Sequence, residues 1–141
     1  VNHTESPAMA SAFWENFDNN PFHAYLGMQL AERRHGYCKL ELARTDTTPT
    51  GIGGSVNGGV LATLVDMTAV AAVFASLEAN DQPAGTADLQ ITYLRQTKGS
   101  TVTSEGTLLK KGRQLATVEV KVTDDTGALC CTARVLYALR G

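Results

Sequence analysis

The chain has 141 residues, 43% hydrophobic and 18% charged, which fits one compact domain with a sizeable core and argues against a disordered or fibrous class. Twelve Lys and Arg against fourteen Asp and Glu leave a net charge of −2, so the basic surplus of a general nucleic-acid binder is missing. Residues 1–7 are polar and expected to fray, and residues 1–20 read as an N-terminal extension to a single domain spanning 1–141. From Ala8 to Phe17, Phe13, Trp14 and Phe17 recur at helical spacing, and Asp18-Asn19-Asn20-Pro21 stops that helix. Phe22–Leu26 adds a turn. Residues 27–33 and 37–43 read as two strands around His35-Gly36, with Cys38, Leu40 and Leu42 alternating with Tyr37, Lys39 and Glu41. Residues 45–57 form a Thr- and Gly-rich loop.

A long helix is expected from about 58 to 78, and its stretch 60–77 is apolar enough to raise the question of a membrane span. Asp66 lies within it and the rest of the chain reads as strands, so it is expected to be the central helix of a water-soluble core. Beyond Pro83 the period changes from helical to two. Residues 87–93, 118–122 and 129–137 alternate, and short breaks at 98–100, 110–113 and 124–127 resemble hairpin connections. The expected architecture is α+β: two strands, one long helix, then a four-strand antiparallel meander. Cys38, Cys130 and Cys131 lack metal-ligand or C-x-x-C spacing and read as thiols in a reducing cytoplasm. No basic-then-apolar leader is visible at the start of the sequence.

Three motifs fail on inspection. Gly51-Ile52-Gly53-Gly54-Ser55-Val56 lacks the third glycine of a dinucleotide fingerprint, and Gly59-Val60 follows Gly58 where a phosphate-binding loop needs Lys and Ser or Thr. Ser55 lacks the closing glycine of a nucleophile elbow, and His3, His23 and His35 all precede it. What remains is Asn57-Gly58-Gly59 opening the helix. Asn57 is a good N-cap, the glycines weaken a helix start unless something approaches the backbone closely, and free first-turn N–H groups suit a polarised oxygen. Asp66, two turns in, is a carboxylate where burial is expected, and so a candidate working group.

With these residues, Asp88-Leu89-Gln90-Ile91-Thr92-Tyr93 and Lys110-Lys111-Gly112-Arg113, the chain from about Phe22 to Leu139 resembles the hotdog-fold acyl-CoA thioesterases of the phenylacetate-degradation (PaaI-like) group. The resemblance implies an antiparallel sheet wrapped around one long central helix. It also implies hydrolysis of acyl-CoA to a free acid and coenzyme A, with Gly58 N–H polarising the thioester carbonyl and Asp66 as nucleophile or general base. Thr86 matches the residue that orients the attacking water, and Lys110, Lys111, Gly112 and Arg113 match the hairpin near the coenzyme A phosphates, to which Arg95 and Lys98 add charge. Coenzyme A enters only as part of the substrate, and neither a metal nor a redox cofactor is implied. Two positions depart from the pattern: Asn57 replaces a His and Gly51 replaces an Asn. Gly58 and Asp66 are eight residues apart, so about 12 Å along one helix at 1.5 Å per residue, and one carbonyl cannot touch both. A two-fold partner with its helix antiparallel would join them, which implies a homodimer with shared sites. The family often pairs such dimers into tetramers. A non-catalytic acyl-CoA-binding or sensing domain on the same fold is the alternative, while a hydratase is disfavoured because no His follows residue 35.

Overall fold

A computed structural model describes residues 8–140; the expectation for 1–7 lies outside the described residues. Helices α1 (Ala8–Asn16) and α2 (Pro21–Leu26) precede strands β1 (Met28–Arg34) and β2 (Tyr37–Ala43). Helix α3 (Gly58–Phe74) follows, then β3 (Gln82–Tyr93), β4 (Thr101–Lys111), β5 (Leu115–Thr123) and β6 (Leu129–Arg140). Asn20 caps α2 through its side chain, and Gly27 ends it at φ +73°. A Cβ at Gly27 would stand 2.4 Å from the Ala43 carbonyl oxygen, so only glycine fits where the chain turns into β1.

All six strands are antiparallel in one sheet of order β1-β2-β4-β5-β6-β3. The register sets Leu40, Ser104, Val122 and Cys131 in one row across four strands, with Cys38, Gly106, Val120 and Ala133 in the next. These inward rows pack against α3, whose Leu64, Val65, Ala69, Ala72 and Val73 are fully buried. A Cβ on Gly106 would lie 3.1 Å from Thr68 Cγ2, which shows how closely helix and sheet approach. Thr68 Oγ1 resolves its burial at 2.6 Å from Leu64 O and 2.7 Å from Ser104 Oγ. At the far end of α3, α1 stacks Phe13 on Phe74, centroids 4.2 Å apart. This is the hotdog layout, with an antiparallel sheet around one long helix.

The structure corrects two expectations. The helix stops at Phe74 rather than near residue 78, because Ser76 N and Leu77 N bond three residues back and tighten the last turn. The four-strand meander is also not formed: only β4, β5 and β6 are successive neighbours, and β3 crosses to the far edge to pair with β6. The connection 94–100 is therefore a crossover and not a hairpin. Leu94 N and Arg95 N both donate to Cys130 O, drawing its start over β6. Asp124 Oδ2 then accepts from Lys98 N, and Asp125 Oδ2 from Ser100 N and Thr101 N. No helix among the described residues is long and apolar enough to cross a membrane. The three cysteines are buried and free, and burial pushes the Cys38 thiol up to about 12 and the Cys131 thiol to about 11.

Candidate active site

Asn57 opens α3 as its N-cap, its Oδ1 accepting from Gly59 N at 2.8 Å and Val60 N at 3.3 Å. That occupies the side-chain oxygen and leaves the amide NH₂ as the part of Asn57 able to donate elsewhere. Gly58 N–H has no acceptor among the described residues. Neither Gly58 nor Gly59 adopts positive φ, and a Cβ on Gly58 would make only ordinary contact, at 3.4 Å or more from the Tyr93 ring. Each glycine costs a helix roughly 1 kcal/mol relative to Ala. Nothing among the described residues requires that cost at position 58, which is what close approach by an outside group would explain.

Gly58 lines a cleft of about 410 Å³ with Val56, Leu61, Tyr93 and Leu94 among its walls. Tyr93 Oη donates to Gly58 O at 2.6 Å, tying the end of β3 to the first turn of α3. Sequence patterning did not single out this contact, because Tyr93 reads only as an alternating strand residue. Ile52, 83% exposed, stands at the cleft mouth on the glycine-rich turn. Gly51, which stands where the family has Asn, donates its N–H to Ser55 O at 2.7 Å and closes that turn.

Asp66 was expected to be buried. In the single chain it is half-buried, on the less buried stripe of α3 with Gly59, Ala62, Thr63, Met67 and Val70. Thr86 Oγ1 donates to Asp66 Oδ1 at 2.7 Å, so two expected site residues 20 positions apart in sequence meet. The bond joins α3 to the edge strand β3. Tyr137 is also nearby: burial raises its phenol, and the Asp66 carboxylate adds to the shift. Gly58 and Asp66 lie two turns apart on α3, and the structure does not bring them together within one chain.

The expected cationic cluster divides. Lys110, Lys111 and Arg113 flank the β4–β5 turn, whereas Arg95 and Lys98 lie on the crossover before β4 begins. Ten residue steps of β4 separate its two ends, roughly 33 Å at 3.3 Å per residue. Lys111 is committed within the fold. Its Nζ lies 2.5 Å from Asp81 Oδ2, 3.1 Å from Ser76 O and 3.7 Å from Glu78 Oε1, holding the α3–β3 connection against the end of β4. Gly112 N donates to Leu115 O and shapes the turn. Arg113 borders a separate cleft of about 650 Å³ with Asn80, Asp81 and Gln114.

Residues 53–131 match the family model for the thioesterase superfamily, a span that contains Asn57, Gly58, Asp66, Thr86 and both groups of cations. The chain belongs to the thioesterase superfamily. A Saccharolobus solfataricus protein named as an esterase is 28% identical over 109 residues, 77% of this chain and 71% of that one. The structure of zebrafish thioesterase superfamily member 2 superposes with a TM-score of 0.75 at 25% identity, covering 95% of this thioesterase-superfamily chain and 98% of the other. A hypothetical thioesterase of Streptococcus pneumoniae, solved with coenzyme A, shares the fold at a TM-score of 0.76 and 21% identity, covering 90% and 96%. Membership of this superfamily supports ester or thioester hydrolysis as the class of reaction.

Proposed function

We propose that this superfamily member is an acyl-CoA thioesterase whose two active sites are each completed by a second copy of the chain. The observation that carries the reading is the Thr86–Asp66 bond, which aims a hydrogen-bonded carboxylate along the less buried stripe of a helix whose first turn holds a free N–H. Thioester hydrolysis needs those two elements: a donor where the oxyanion develops, and a carboxylate to attack or to deprotonate water. Acting as base, Asp66 takes a proton from water while the oxygen adds to the carbonyl carbon. Gly58 N–H receives the developing oxyanion, with the Asn57 amide beside it. Collapse of the adduct breaks the C–S bond, and the coenzyme A thiolate leaves with the proton. Acting as nucleophile, Asp66 attacks the carbonyl, the C–S bond breaks and the coenzyme A thiolate leaves, giving a mixed anhydride that water, oriented by Thr86, then cleaves to the free acid and the Asp66 carboxylate.

Sharing between chains follows from the separation of about 12 Å between Gly58 and Asp66. Two further features support it. β3 is an edge strand of twelve residues with no buried position, open on the side away from β6, and Thr86 lies on it. The less buried stripe of α3 carries small residues at Gly59, Ala62 and Thr63, which let a second helix approach closely. A cationic surface suits the phosphates of coenzyme A. A binding-only role is favoured by one observation, that Asn57 holds its oxygen in the helix cap where the family carries His.

Steady-state hydrolysis over a panel of alkyl- and aryl-CoA esters tests the reading. Turnover of at least one ester is expected, with Asp66→Asn lowering kcat on the order of 10²-fold or more while the protein stays folded. Tight coenzyme A ester binding without turnover would favour the binding domain, and wild-type rates in Asp66→Asn would remove Asp66 from the chemistry.

A further inference from the structure

The first turn of α3 holds one hydrogen bond that the helix itself does not call for. A helix start leaves N–H groups without partners, not carbonyls, so Gly58 O is already placed to accept from within the helix. Tyr93 nevertheless reaches it from the end of β3, its Oη donating to Gly58 O at 2.6 Å. The residue is 50% exposed at the wall of the cleft, where water could serve its hydroxyl equally well. Its own backbone is anchored: Tyr93 pairs with Cys131 of β6, and the next two N–H groups both donate to Cys130 O. Partial burial raises the phenol, which keeps it a proton donor through the neutral range.

The peptide that receives this bond lies between Gly58 and Gly59, where no Cβ on either side restricts it. Its N–H, that of Gly59, donates to Asn57 Oδ1 at 2.8 Å. Val60 N donates to the same oxygen at 3.3 Å, and two such donors decide which end of the Asn57 amide is the oxygen. The backbone of Asn57 is fixed as well, its N–H donating to Pro49 O at 2.9 Å and its carbonyl accepting from Leu61 N at 3.1 Å. Asn57 Nδ2 and Gly58 N–H are left without an acceptor among the described residues. The bonds run in one direction, from the Tyr93 hydroxyl to the Gly58 carbonyl, through that peptide to Gly59 N–H, then to Asn57 Oδ1 and across the amide to its NH₂. Hydrogen bonds linked in this way polarise one another, each strengthening the next by about 10–30%.

We propose that Tyr93 is a positioning residue for hydrolysis: through the Gly58–Gly59 peptide, its hydroxyl orients and polarises the Asn57 amide that stands beside Gly58 N–H where the oxyanion develops. The inference rests on the acyl-CoA reading above and adds to it a residue that acts without touching the reacting atoms. It also gives Asn57 a way to serve both as helix cap and as donor, since the cap uses only its oxygen and the incoming bonds make its NH₂ the stronger donor. Preorganised donors of this kind act most on the transition state, because the charge they meet develops there. As a simple tie between β3 and α3, the Tyr93 bond would leave the chemistry of the folded protein untouched.

The test is a double-mutant cycle on one acyl-CoA ester. Tyr93→Phe removes only the hydroxyl. Asn57→Ser keeps a capping oxygen for the helix start and removes the amide at the far end of the chain of bonds. Tyr93→Phe should lower kcat about 3- to 10-fold with KM within about twofold, the effect of losing roughly one hydrogen bond's net worth in the transition state. In the Asn57→Ser background the same change should lower kcat by less than about 1.5-fold. Single-turnover rates with enzyme in excess keep the slow variants measurable. If Tyr93→Phe fails to fold, judged by circular dichroism, a ring-fluorinated tyrosine in place of Tyr93 keeps the hydroxyl and strengthens it as a donor. With it, kcat should rise in the wild-type background and stay constant with Asn57→Ser. An unchanged kcat, a change confined to KM or to the urea midpoint, or an equal factor in both backgrounds would overturn the inference, while turnover by the wild type leaves the thioesterase reading intact. A wild-type protein that hydrolyses no thioester would overturn both.

Discussion

The shared site can be tested by complementation, using two variants that damage opposite ends of α3. Gly58→Pro deletes the N–H proposed to receive the oxyanion. The structure indicates that the backbone tolerates it. Asn57 sits at φ −53° and ψ 136°, the extended geometry that a residue before proline adopts. Gly58 occupies the first helical position, does not have positive φ and loses no hydrogen bond within the chain, so Pro there should change stability by no more than about 1 kcal/mol. Asp66→Ala removes the carboxylate. Each variant alone should form inactive dimers, since every site lacks one component. Unfolding equal amounts together and refolding them should give heterodimers as about half of all dimers. In each heterodimer one site collects both defects and the other collects an intact Gly58 end and an intact Asp66. About a quarter of wild-type turnover should return. Were Gly58 and Asp66 to serve one site within a single chain, every site in the mixture would still be defective. Heterodimers verified by mass spectrometry but showing no recovered activity would therefore refute the antiparallel-helix arrangement.

Two further expectations concern stability. Burial pushes Asp81 up, but its hydrogen bond and charge contact with Lys111 hold it below the usual carboxylate range; Lys111→Met should leave that partly buried carboxylate unpaired and destabilise the fold by about 1–3 kcal/mol, read as a lower urea midpoint, and an unchanged midpoint would show that the pair contributes nothing net. Asp124 is held down to about 2, chiefly by the Thr126 hydroxyl and by backbone donors. Because its folded value is depressed, its contribution is complete above the unfolded value of about 3.9 and is lost as pH falls towards 2. Asp124→Asn should accordingly be less stable than wild type at pH 7, and the gap should close between about pH 4 and pH 2; a gap that persists unchanged at pH 2 would show that ionisation of Asp124 plays no part.

The elements were legible wherever one periodicity governed the chain. Alternation in β2, β5 and β6 and the long apolar run of α3 are local signals of burial, and Asn57 announces its cap by residue type. Pairing was not legible at β3. Its seven-residue exit has the length and composition of a hairpin, yet its destination is set by Cys130 O, Asp124 and Asp125, all reached across 25 residues or more. Loop length limits which pairings are possible but does not choose among them. The spacing of the cations was not legible for the same reason. Arg95 and Lys110 look close along the sequence, and a full strand lies between them.

The candidate site stands out in the sequence for a different reason, because local rules are bent there. Two glycines weaken the first turn of α3, and a carboxylate stands on its apolar body with a single hydroxyl partner from the open edge. At three other positions a departure from an easy fold is repaired within the chain: Thr68 by Ser104, Lys111 by Asp81, and Gly27 by the turn it allows beside Ala43. At Gly58 no such repair is present among the described residues, and the Asp66 carboxylate is met there by the Thr86 hydroxyl alone. A residue that carries a cost within the chain and gains little there is one expected to make its contacts outside it. A merely solvated Asp66 could explain the carboxylate, but it leaves unexplained why an unconstrained glycine stands two turns away beside a cleft, with its N–H free.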